Sequence, residues 1–380
     1  MGASDGPPTR PLVVGIDARE LQDKPTGTGR YLRSLLRVWT RDGRDRFVAY
    51  FSGPAPDDPV VVHPRVRPRP IGERRVPRVV WEELRLPPAV RADAIEVFFS
   101  PAYTCPLRLR LPRVTAVHDL AYFSCPEDFG LAHALRRRVM VALSLHASRR
   151  ILACSDFTRR EIVARFPALA DRVVHVPLGR DDDLAAAPAR QDARRRLGVA
   201  GPFVITVGSV FNRRCIPELL RAMALLRARH PGLVLDVAGD NRTTPRLDLA
   251  RVARGLGLET RVRFSGFVDE AGLVDRYAAA DAAVFLSEYE GFGLPALEAA
   301  SRGVPLVVSR RPALSEVVGE AALLVDPRNE REIAAALHLL LADPGLRRRQ
   351  VERGLTVAAR YSWTRTAILT RHALATAAAP

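Results

Sequence analysis

Residues 290 to 298 read Glu-Gly-Phe-Gly-Leu-Pro-Ala-Leu-Glu, and they join two segments of different kind. An apolar run at 282 to 286 precedes them and predicts a buried strand, while residues 296 to 301 continue in a helical pattern. The two glycines therefore fall at a turn from strand to helix. Glu290 and Glu298 then face one small region around that turn.

The residues of this turn suit an anionic ligand. Gly291 and Gly293 permit backbone conformations that a Cβ would forbid, and Pro295 fits a first helical turn. Free amides at a helix start attract negative charge such as phosphate. Glu290 and Glu298 place carboxylates before and behind that charge, as a ligand with a sugar and a ribose would require. The spacing also suits a plain glycine-rich loop whose glutamates favour the helix dipole.

The sequence around the turn resembles that of a known family. Residues 290 to 327 read EGFGLPALEAASRGVPLVVSRRPALSEVVGEAALLVDP. This resembles the donor-binding signature of the family 4 retaining glycosyltransferases, including Gly303, Pro305, Ser315-Glu316-Val317 and Asp326-Pro327. The resemblance implies the GT-B fold, in which two Rossmann-like domains face each other across a cleft and a C-terminal helix crosses back to the first domain.

Strand-like apolar runs alternate with helical patterns along the chain, which predicts an α/β protein with parallel sheets. The predicted strands span 12–17, 47–51, 97–100, 114–118, 151–155 and 173–176, then 203–207, 233–238, 262–264, 282–286, 306–309 and 322–325. Predicted helices include 29–40, 130–148 and 158–166. Thr158 and Glu161 have the spacing of a capping box, which would open the last of these.

The same patterns predict two domains. We expect an acceptor-side domain over residues 1–180 and a nucleotide-sugar domain over 181–360, with residues 178–197 as a linker that leads into a helix. Residues 361–380 are similar to the family's final helix, which returns to the first domain. A chain of 380 residues has the volume for two cores.

Composition favours a cytosolic protein. The first residues lack the apolar core of a signal peptide, and no run of about 18 apolar residues predicts a membrane span. The four cysteines have neither metal-site spacing nor the density of a disulfide scaffold; they are Cys105, Cys125, Cys154 and Cys215. No cluster of metal-binding residues stands out, so we expect no metal.

The net charge of +16 is carried almost entirely by arginine, since Lys24 is the only lysine. One cluster comprises Arg65, Arg67, Arg69, Arg74, Arg75 and Arg78. Beside an exposed Trp81 it would suit an anionic membrane surface or a phosphate-bearing acceptor. Alternatively, it is a proline-broken surface loop whose arginines pair with Glu82 and Glu83. The charge also raises the possibility of a nucleic-acid-binding protein.

Two segments of the first half add candidate residues. Gly27 and Gly29 open a helix after the first strand, but a dinucleotide fingerprint would need a third glycine at Leu32, so an NAD site is disfavoured. The segment from Gly15 to Tyr31 is similar to the family's N-terminal segment, where this loop lies near the sugar phosphate and acceptor. His118 ends a strand in a segment that resembles the acceptor-side loop, which implies contact with the donor sugar or β-phosphate. A histidine there is otherwise often structural.

Residues 208 to 214 follow the first strand of the second half. Family members commonly have Arg-Lys-Asn or Arg-Lys-Gly where this chain has Arg213-Arg214-Cys215, and the resemblance implies that these cations bind the donor diphosphate. Arginine keeps the charge of lysine but changes its shape, so the resemblance supports Arg213 more firmly than Arg214. Alternatively, both are surface arginines of a loop. The implied donor-binding residues are Gly27, Gly29, Gly208, Ser209, Arg213, Arg214, Gly291, Phe292, Gly293, Leu294 and Glu298, with Glu290 and His118 as catalytic residues.

With the resemblance, the residues predict a retaining transferase that moves a hexose from a nucleotide diphosphate sugar to a glycan or lipid-linked acceptor. The Gly15 and His118 segments most resemble mannosyltransferase-like members that assemble surface polysaccharides, so GDP-mannose is the expected donor and a UDP-sugar the alternative. No covalent nucleophile stands out, which favours same-face substitution. We expect no cofactor, and a place in the cytosol or on the inner face of the membrane. Two hypotheses from different classes of protein stay open, a nucleic-acid binder and a catalytically idle scaffold.

Overall fold

The computed structural model describes residues 10–22, 27–73, 76–180 and 188–379, which form two compact units. Unit 1 comprises Met1–Leu120, Leu135–Asp181 and Ser362–Pro380, and unit 2 comprises Ala121–Ala134 and Asp182–Tyr361. Residues 121 to 134, assigned to the first domain from sequence, thus pack with the second unit. Lys24, Arg74, Arg75 and linker residues 181 to 187 lie outside the described residues.

Unit 1 contains a seven-stranded sheet in which every pair of strands is parallel. Its strands are β1 Val13–Asp17, β2 Arg46–Phe51, β3 Val66–Pro70, β4 Val97–Ser100, β5 Arg113–Val117, β6 Arg150–Ala153 and β7 Val173–His175. Their order is β3-β2-β1-β4-β5-β6-β7, so the order reverses between β1 and β4. Ligands of open α/β sheets bind beyond the carboxyl ends of the strands at such a reversal.

Strand β3 corrects the interpretation of the arginine cluster as a loop. Residues 66 to 70 pair in parallel with β2 and form the edge of the sheet. An edge strand tolerates Pro68 and Pro70 because one of its sides needs no backbone donors. The exposed Arg67 and Arg69 both reach Asp93, with contacts of 2.6 and 3.3 Å. The cluster is therefore partly a strand whose charge is offset by a carboxylate.

The helices of unit 1 pack against this sheet and against one another. They are α1 Gly27–Asp42, α2 Arg78–Val80, α3 Leu86–Ala92, α5 Leu131–Ala147, whose first turn is grouped with unit 2, α6 Asp156–Arg165 and α15 Trp363–Ala378; a π-helical turn, Trp81–Arg85, joins α2 to α3. The predicted capping box of α6 is wrong. Its N-cap is Ser155, whose side chain accepts a hydrogen bond from the Thr158 amide at 3.0 Å, so the helix begins nearly a turn before Thr158.

The C-terminal helix α15 belongs to unit 1, as the fold prediction required. The indole of Trp39 on α1 donates to the Ala367 carbonyl at 3.0 Å, and Arg371 forms an ion pair with the buried Asp45 at 2.7 Å. Residue 180 forms a parallel bridge with Ser362 just before the helix. The last helix thus completes the core of the unit in which the chain began.

Unit 2 contains a six-stranded parallel sheet. Its strands are β8 Phe203–Val207, β9 Val234–Ala238, β10 Val262–Gly266, β11 Ala282–Phe285, β12 Leu306–Ser309 and β13 Ala322–Val325. Its helices are α4 Ala121–Ser124, α7 Arg190–Leu197, α8 Ile216–Leu226, α9 Leu249–Gly255, α10 Glu270–Ala279, α11 Leu294–Ser301, α12 Pro312–Val318, α13 Glu330–Ala342 and α14 Pro344–Ala358. The order β10-β9-β8-β11-β12-β13 is that of a Rossmann-like domain, and β8 and β11 flank the reversal.

Candidate functional site

The two glycine-bearing loops of unit 2 follow the two strands at the reversal of its sheet. Gly208 comes directly after β8, and the segment with Glu290 and Gly293 comes after β11. Because β8 and β11 are paired and parallel, their carboxyl ends meet at one edge. The backbone joins the loops further, since the Glu288 amide donates to the Arg213 carbonyl at 2.9 Å.

Gly208 keeps a space open between the loop after β8, which carries Arg214, and the start of α11. Its φ of 121° favours glycine. A Cβ at this position would lie 3.5 Å from Nη2 of Arg214 and 4.0 Å from Cγ of Pro295. A larger side chain at position 208 would therefore fill the space between the guanidinium and the helix start.

Arg214 and Glu290 form an ion pair next to that space. Nη2 of Arg214 lies 2.7 Å from Oε1 of Glu290, and their side chains are only 17% and 15% exposed. The contact is electrostatic rather than an aligned hydrogen bond, and within the described residues Nε of Arg214 has no hydrogen-bond partner. The Nη2 end of the Arg214 guanidinium lies beside the space at Gly208, where its positive charge would favour an anionic ligand.

Arg213 has different surroundings from its neighbour. Its Nη1 lies 2.6 Å from Oδ2 of the buried Asp128, and the centre of its guanidinium lies 4.4 Å from the ring of Phe211 and 5.9 Å from that of Phe129. The guanidinium is therefore held by Asp128, and it is Arg214 that lies beside Glu290. Sequence reasoning missed Asp128, since no motif connects it with a residue 85 positions further along the chain.

The start of α11 has the geometry that its sequence predicts. Gly293 is the N-cap, with φ 90° and ψ 44°, and Pro295 lies in the first turn. A Cβ on Gly293 would come within 2.4 Å of Leu314 Cδ2, so this turn is both left-handed and crowded. Glu298 follows on the helix, and the Tyr277 hydroxyl lies 3.5 Å from its Oε2.

The two loops after β8 and β11 contain further residues that the sequence singles out. Phe292 is buried, with its ring 5.7 Å from that of Tyr361, whereas Ser209 and Leu294 are partly exposed. Cys215 is the N-cap of α8 and takes a left-handed conformation with φ 48° and ψ 39°. This explains why asparagine or glycine is suited to the position. Burial raises the pKa of the Cys215 thiol to about 12, so the thiol stays protonated and is no nucleophile.

His118 lies in unit 1, directly after β5. Its Nε2 is 2.8 Å from the Pro101 carbonyl, which can only accept, so Nε2 carries the proton. Its ring lies 5.0 Å from that of Tyr31 and 5.9 Å from that of Tyr103. Burial lowers the pKa of His118 below its ordinary value. The imidazole is therefore neutral near pH 7, and its Nδ1 is an acceptor.

Gly27 and Gly29 occupy the first turn of α1 in unit 1. Gly27 is exposed, and a Cβ there would meet nothing within 4 Å, while Gly29 is buried. The absence of contacts means that Gly27 is not required by packing. Thr26, which precedes it, lies outside the described residues.

A second network in unit 1 was not found from sequence. Arg19, two residues beyond the end of β1, lies 2.6 Å from Asp17, also contacts the buried Glu82, and stacks 4.2 Å over the ring of Trp81. Burial raises the pKa of Asp17, but the Arg19 guanidinium outweighs it and leaves that pKa below its ordinary value. Arg78 also pairs with Glu82, at 2.8 Å.

These contacts correct two sequence expectations. Trp81 is fully buried rather than exposed, so it cannot insert into a membrane. Glu82 does pair with Arg78, as the loop interpretation required, but Glu83 instead accepts from the Leu107 and Arg108 amides. The arginine cluster therefore lacks the exposed tryptophan that this expectation required.

Within the described ranges, no three His, Cys, Asp or Glu side chains come together in a way that could hold a metal ion. Among the described helices, none combines the length and the apolar character that a membrane span needs.

Two Rossmann-like units, each built on a parallel sheet, with glycine turns, a cation and carboxylates at the reversal of the second sheet, define a glycosyltransferase of the GT-B fold. Residues 25–184 match the family model described as Glycosyltransferase Family 4, and residues 190–356 match the model described as Glycosyl transferases group 1. The chain belongs to glycosyltransferase family 4.

Three relatives illustrate the range of the similarity. The O-antigen chain mannosyltransferase B of Escherichia coli is 34% identical over 303 residues, which cover 76% of this chain and 78% of the relative. The mannosylfructose-phosphate synthase of Agrobacterium fabrum is 28% identical over 60% of this chain, and the match spans 55% of its own length. The structure of Anabaena HepE in complex with UDP-glucose superposes with a TM-score of 0.76 at 20% identity, covering 96% of this chain and 98% of that one, and this likeness concerns the fold.

Proposed function

We propose that this glycosyltransferase moves a hexose, with mannose as the first candidate, from a nucleotide diphosphate sugar to a hydroxyl of a glycan or lipid-linked acceptor in surface polysaccharide assembly. The observation that carries the proposal is the convergence of Gly208, Arg214, Glu290 and the start of α11 at the sheet reversal of unit 2. The similarity to an O-antigen mannosyltransferase supports the choice of sugar and acceptor class.

In this proposal the donor diphosphate lies beside Gly208, between Arg214 and the amino end of α11. The guanidinium charge of Arg214 and the positive end of the helix dipole both favour the charge of the diphosphate. Ser209 and the segment from Gly291 to Leu294 belong to the same two loops and line the proposed diphosphate site. Arg213 acts here through packing and through its pair with Asp128, at the base of the loop that bears Arg214.

The two glutamates take different parts of the donor. Glu290, which pairs with Arg214, accepts hydrogen bonds from the hexose hydroxyls. Glu298, whose Oε2 lies 3.5 Å from the Tyr277 hydroxyl, accepts from the ribose hydroxyls. In unit 1, His118 offers Nδ1 as an acceptor, which suits a sugar hydroxyl better than the β-phosphate, because its Nε2–H already binds the Pro101 carbonyl.

We propose that the reaction retains the anomeric configuration. The bond from the sugar's anomeric carbon to the β-phosphate oxygen breaks as the acceptor oxygen attacks the same face, and the acceptor's proton passes to the departing phosphate oxygen. Burial raises the pKa values of Cys125 and Cys215 to about 12, so neither thiol supplies a covalent intermediate. Arg214 and the helix dipole stabilise the leaving charge without a metal.

A thermal-shift screen against nucleotide sugars tests the donor. A ligand that binds only the folded chain raises its apparent stability, so GDP-mannose should raise the Tm, and mannose 1-phosphate should not. A shift with UDP-glucose alone would move the proposal to a UDP-sugar donor. No shift with any nucleotide sugar would remove the basis for catalysis and favour a scaffold.

Two substitutions test the assigned contacts. Arg214→Gln should lower kcat by about 10²-fold, since it removes one charge-stabilising donor, and Glu298→Ala should weaken donor binding. Arg349→Gln, on an exposed arginine of α14, is the matched control and should change neither. Activity in EDTA, and the anomeric configuration of the product by NMR, test metal independence and retention.

A further inference from the structure

Arg328 of unit 2 connects two loops that the proposed reaction uses. It lies between β13 and α13, directly after Asp326-Pro327 at the end of the family signature. Its Nε donates to Oε1 of Glu288 at 2.8 Å, and its Nη2 contacts the second oxygen of the same carboxylate. Its Nη1 donates to Oε1 of Glu218 at 3.0 Å. All three nitrogens of this guanidinium therefore bind carboxylates.

The two carboxylates belong to different parts of the candidate site. Glu288 lies in the loop after β11, two residues before Glu290. Glu218 lies in the first turn of α8, four residues after Arg214, and is only 8% exposed. Arg328 thus holds both the segment that leads to Glu290 and the helix that begins just after Arg214.

The backbone carries the effect of these contacts to the charged groups of the site. The Glu288 amide donates to the Arg213 carbonyl at 2.9 Å, so a shift of Glu288 would move the residue before Arg214. The side chains of Arg214 and Glu290 lie 2.7 Å apart beside the space at Gly208. A small displacement of either loop would therefore change the space in which the diphosphate is proposed to bind.

The exposure of Arg328 favours a role in geometry over a role in stability. Its side chain is 54% exposed, and that of Glu288 is 32% exposed. Ion pairs with this much exposure contribute little to the stability of a fold. A guanidinium nevertheless fixes the direction of a carboxylate, because two parallel N–H groups bind both of its oxygens. The Arg328 contacts should therefore matter more for the spacing of the loops than for folding.

We propose that Arg328 is a positioning residue for the donor site and sets the spacing between Arg214 and Glu290. It acts through Glu288 and Glu218 and not by contact with the donor. The inference rests on the proposed function, since it takes the diphosphate to bind beside Arg214. It adds a residue that lies outside the glycine turns and outside the family signature.

Arg328→Gln tests the role by kinetics with GDP-mannose, or with UDP-glucose if the wild type uses that donor. The donor KM should rise and kcat should fall, each by about tenfold, because a displaced Arg214 binds the diphosphate and its leaving charge less well. The Tm should change little. A lowered Tm with an unchanged KM would show a purely structural role and overturn the proposal.

Arg196 provides a matched control, because its guanidinium also binds one carboxylate through two nitrogens. Its Nε donates to Asp275 at 2.8 Å, and the side chains of this pair between α7 and α10 are 51% and 22% exposed. Arg196→Gln should change neither KM nor kcat.

A double-mutant cycle tests whether Arg328 acts through Glu288. Adding Glu288→Gln to Arg328→Gln should cause little further loss of kcat/KM, because each substitution removes the same link. Losses that multiply in the double variant would show that the two residues act independently, against the proposal.

Hydrogen exchange of the ligand-free chain separates this inference from the proposed function. Arg328→Gln should speed exchange at residues 286–290 and at the start of α8, and leave exchange in α7 and α10 unchanged. Unchanged exchange in the first two segments would refute the positioning role even if the wild type transfers a sugar. A wild-type chain that binds no nucleotide sugar would instead refute the proposed function, and the positioning role with it.

Discussion

Arg213 and Arg214 are adjacent in the chain, and the structure gives them different partners. Arg213 is neutralised by Asp128, with both side chains nearly buried, while Arg214 pairs with Glu290 beside the space at Gly208. The family pattern alone supports Arg213 more firmly. In our proposal the roles are reversed, with Arg214 binding the diphosphate and Arg213 fixing the loop.

Asp128→Asn should lower the free energy of unfolding by about 3 kcal/mol, because it leaves the largely buried Arg213 without its counter-charge. Urea denaturation measures the change. The control is Asp275→Asn, which breaks a more exposed pair with Arg196 and should cost less than about 1 kcal/mol. Similar losses of unfolding free energy in the two variants would show that the buried Asp128–Arg213 pair stabilises the fold no more than the exposed pair does.

The lowered pKa of His118 makes the stability of the chain depend on pH. The folded state holds the imidazole neutral, whereas the unfolded chain takes up a proton near the ordinary value of 6.5. The stabilisation is therefore complete above pH 6.5 and is lost as the pH falls from there toward the folded pKa.

His118→Gln keeps a donor for the Pro101 carbonyl and removes the titration. The variant should lose less stability than the wild type between pH 7 and pH 5, by at most about 1.4 kcal/mol for each pH unit between the folded and unfolded pKa of His118. Chemical denaturation at several pH values measures this. The remaining histidines are common to both proteins, so parallel pH curves would contradict a lowered pKa at position 118.

The residues that follow strands were more predictable than those that meet across the fold. Glu290, Gly293 and Arg214 lie together because each follows a strand at the reversal of the sheet, and a strand-to-helix turn is readable from local pattern. Asp128 and Trp81 were not readable in this way. Tertiary packing sets the surroundings of both residues. Neither charge nor propensity indicates that Asp128 pairs with an arginine 85 positions away, or that Trp81 is fully buried in the core.

Burial decided which strands could be predicted from the sequence. Strands such as β4, β8 and β12 are fully buried and read as continuous apolar runs, so their bounds agree with the sequence expectation. β3 has one buried residue, two prolines and two arginines, which is the composition of a loop. It forms a strand because the edge of β2 supplies its hydrogen bonds. This pairing is a tertiary contact that the local sequence pattern does not indicate.

The start of α6 depends on the side chain of Ser155. Ser155→Ala should cost about 1 kcal/mol, since it removes the acceptor of the Thr158 amide in a fully buried position. Glu161→Gln should cost less than about 0.5 kcal/mol, because Glu161 is not part of a capping box. Thermal unfolding of the two variants measures both. A larger loss for Glu161→Gln would restore the helix start predicted from sequence.

The chain leaves unit 1 after residue 181 and returns to it at Ser362. Local sequence pattern predicts only that a helix follows Ser362. The family resemblance implies that this helix packs on the first domain. In the structure α15 contacts Trp39 of α1 and the buried Asp45, and Ser362 just before it pairs with residue 180. The stability of unit 1 should therefore depend on residues almost at the end of the chain.

Gly179→Ala tests this dependence. A Cβ at position 179 would lie 2.2 Å from the Trp363 amide nitrogen and 2.3 Å from the Ser362 carbonyl carbon, both backbone atoms that cannot move aside without shifting the start of α15. We expect a loss of about 2 kcal/mol, with faster hydrogen exchange in α15 and α1 and unchanged exchange in the strands of unit 2. Gly255→Ala is the control, because a Cβ there meets nothing within 4 Å and alanine favours the helix. If the two variants were equally stable, or if exchange quickened in unit 2 instead, α15 would not be held at Gly179, and unit 1 would owe its stability to its first 120 residues and the strands that follow them.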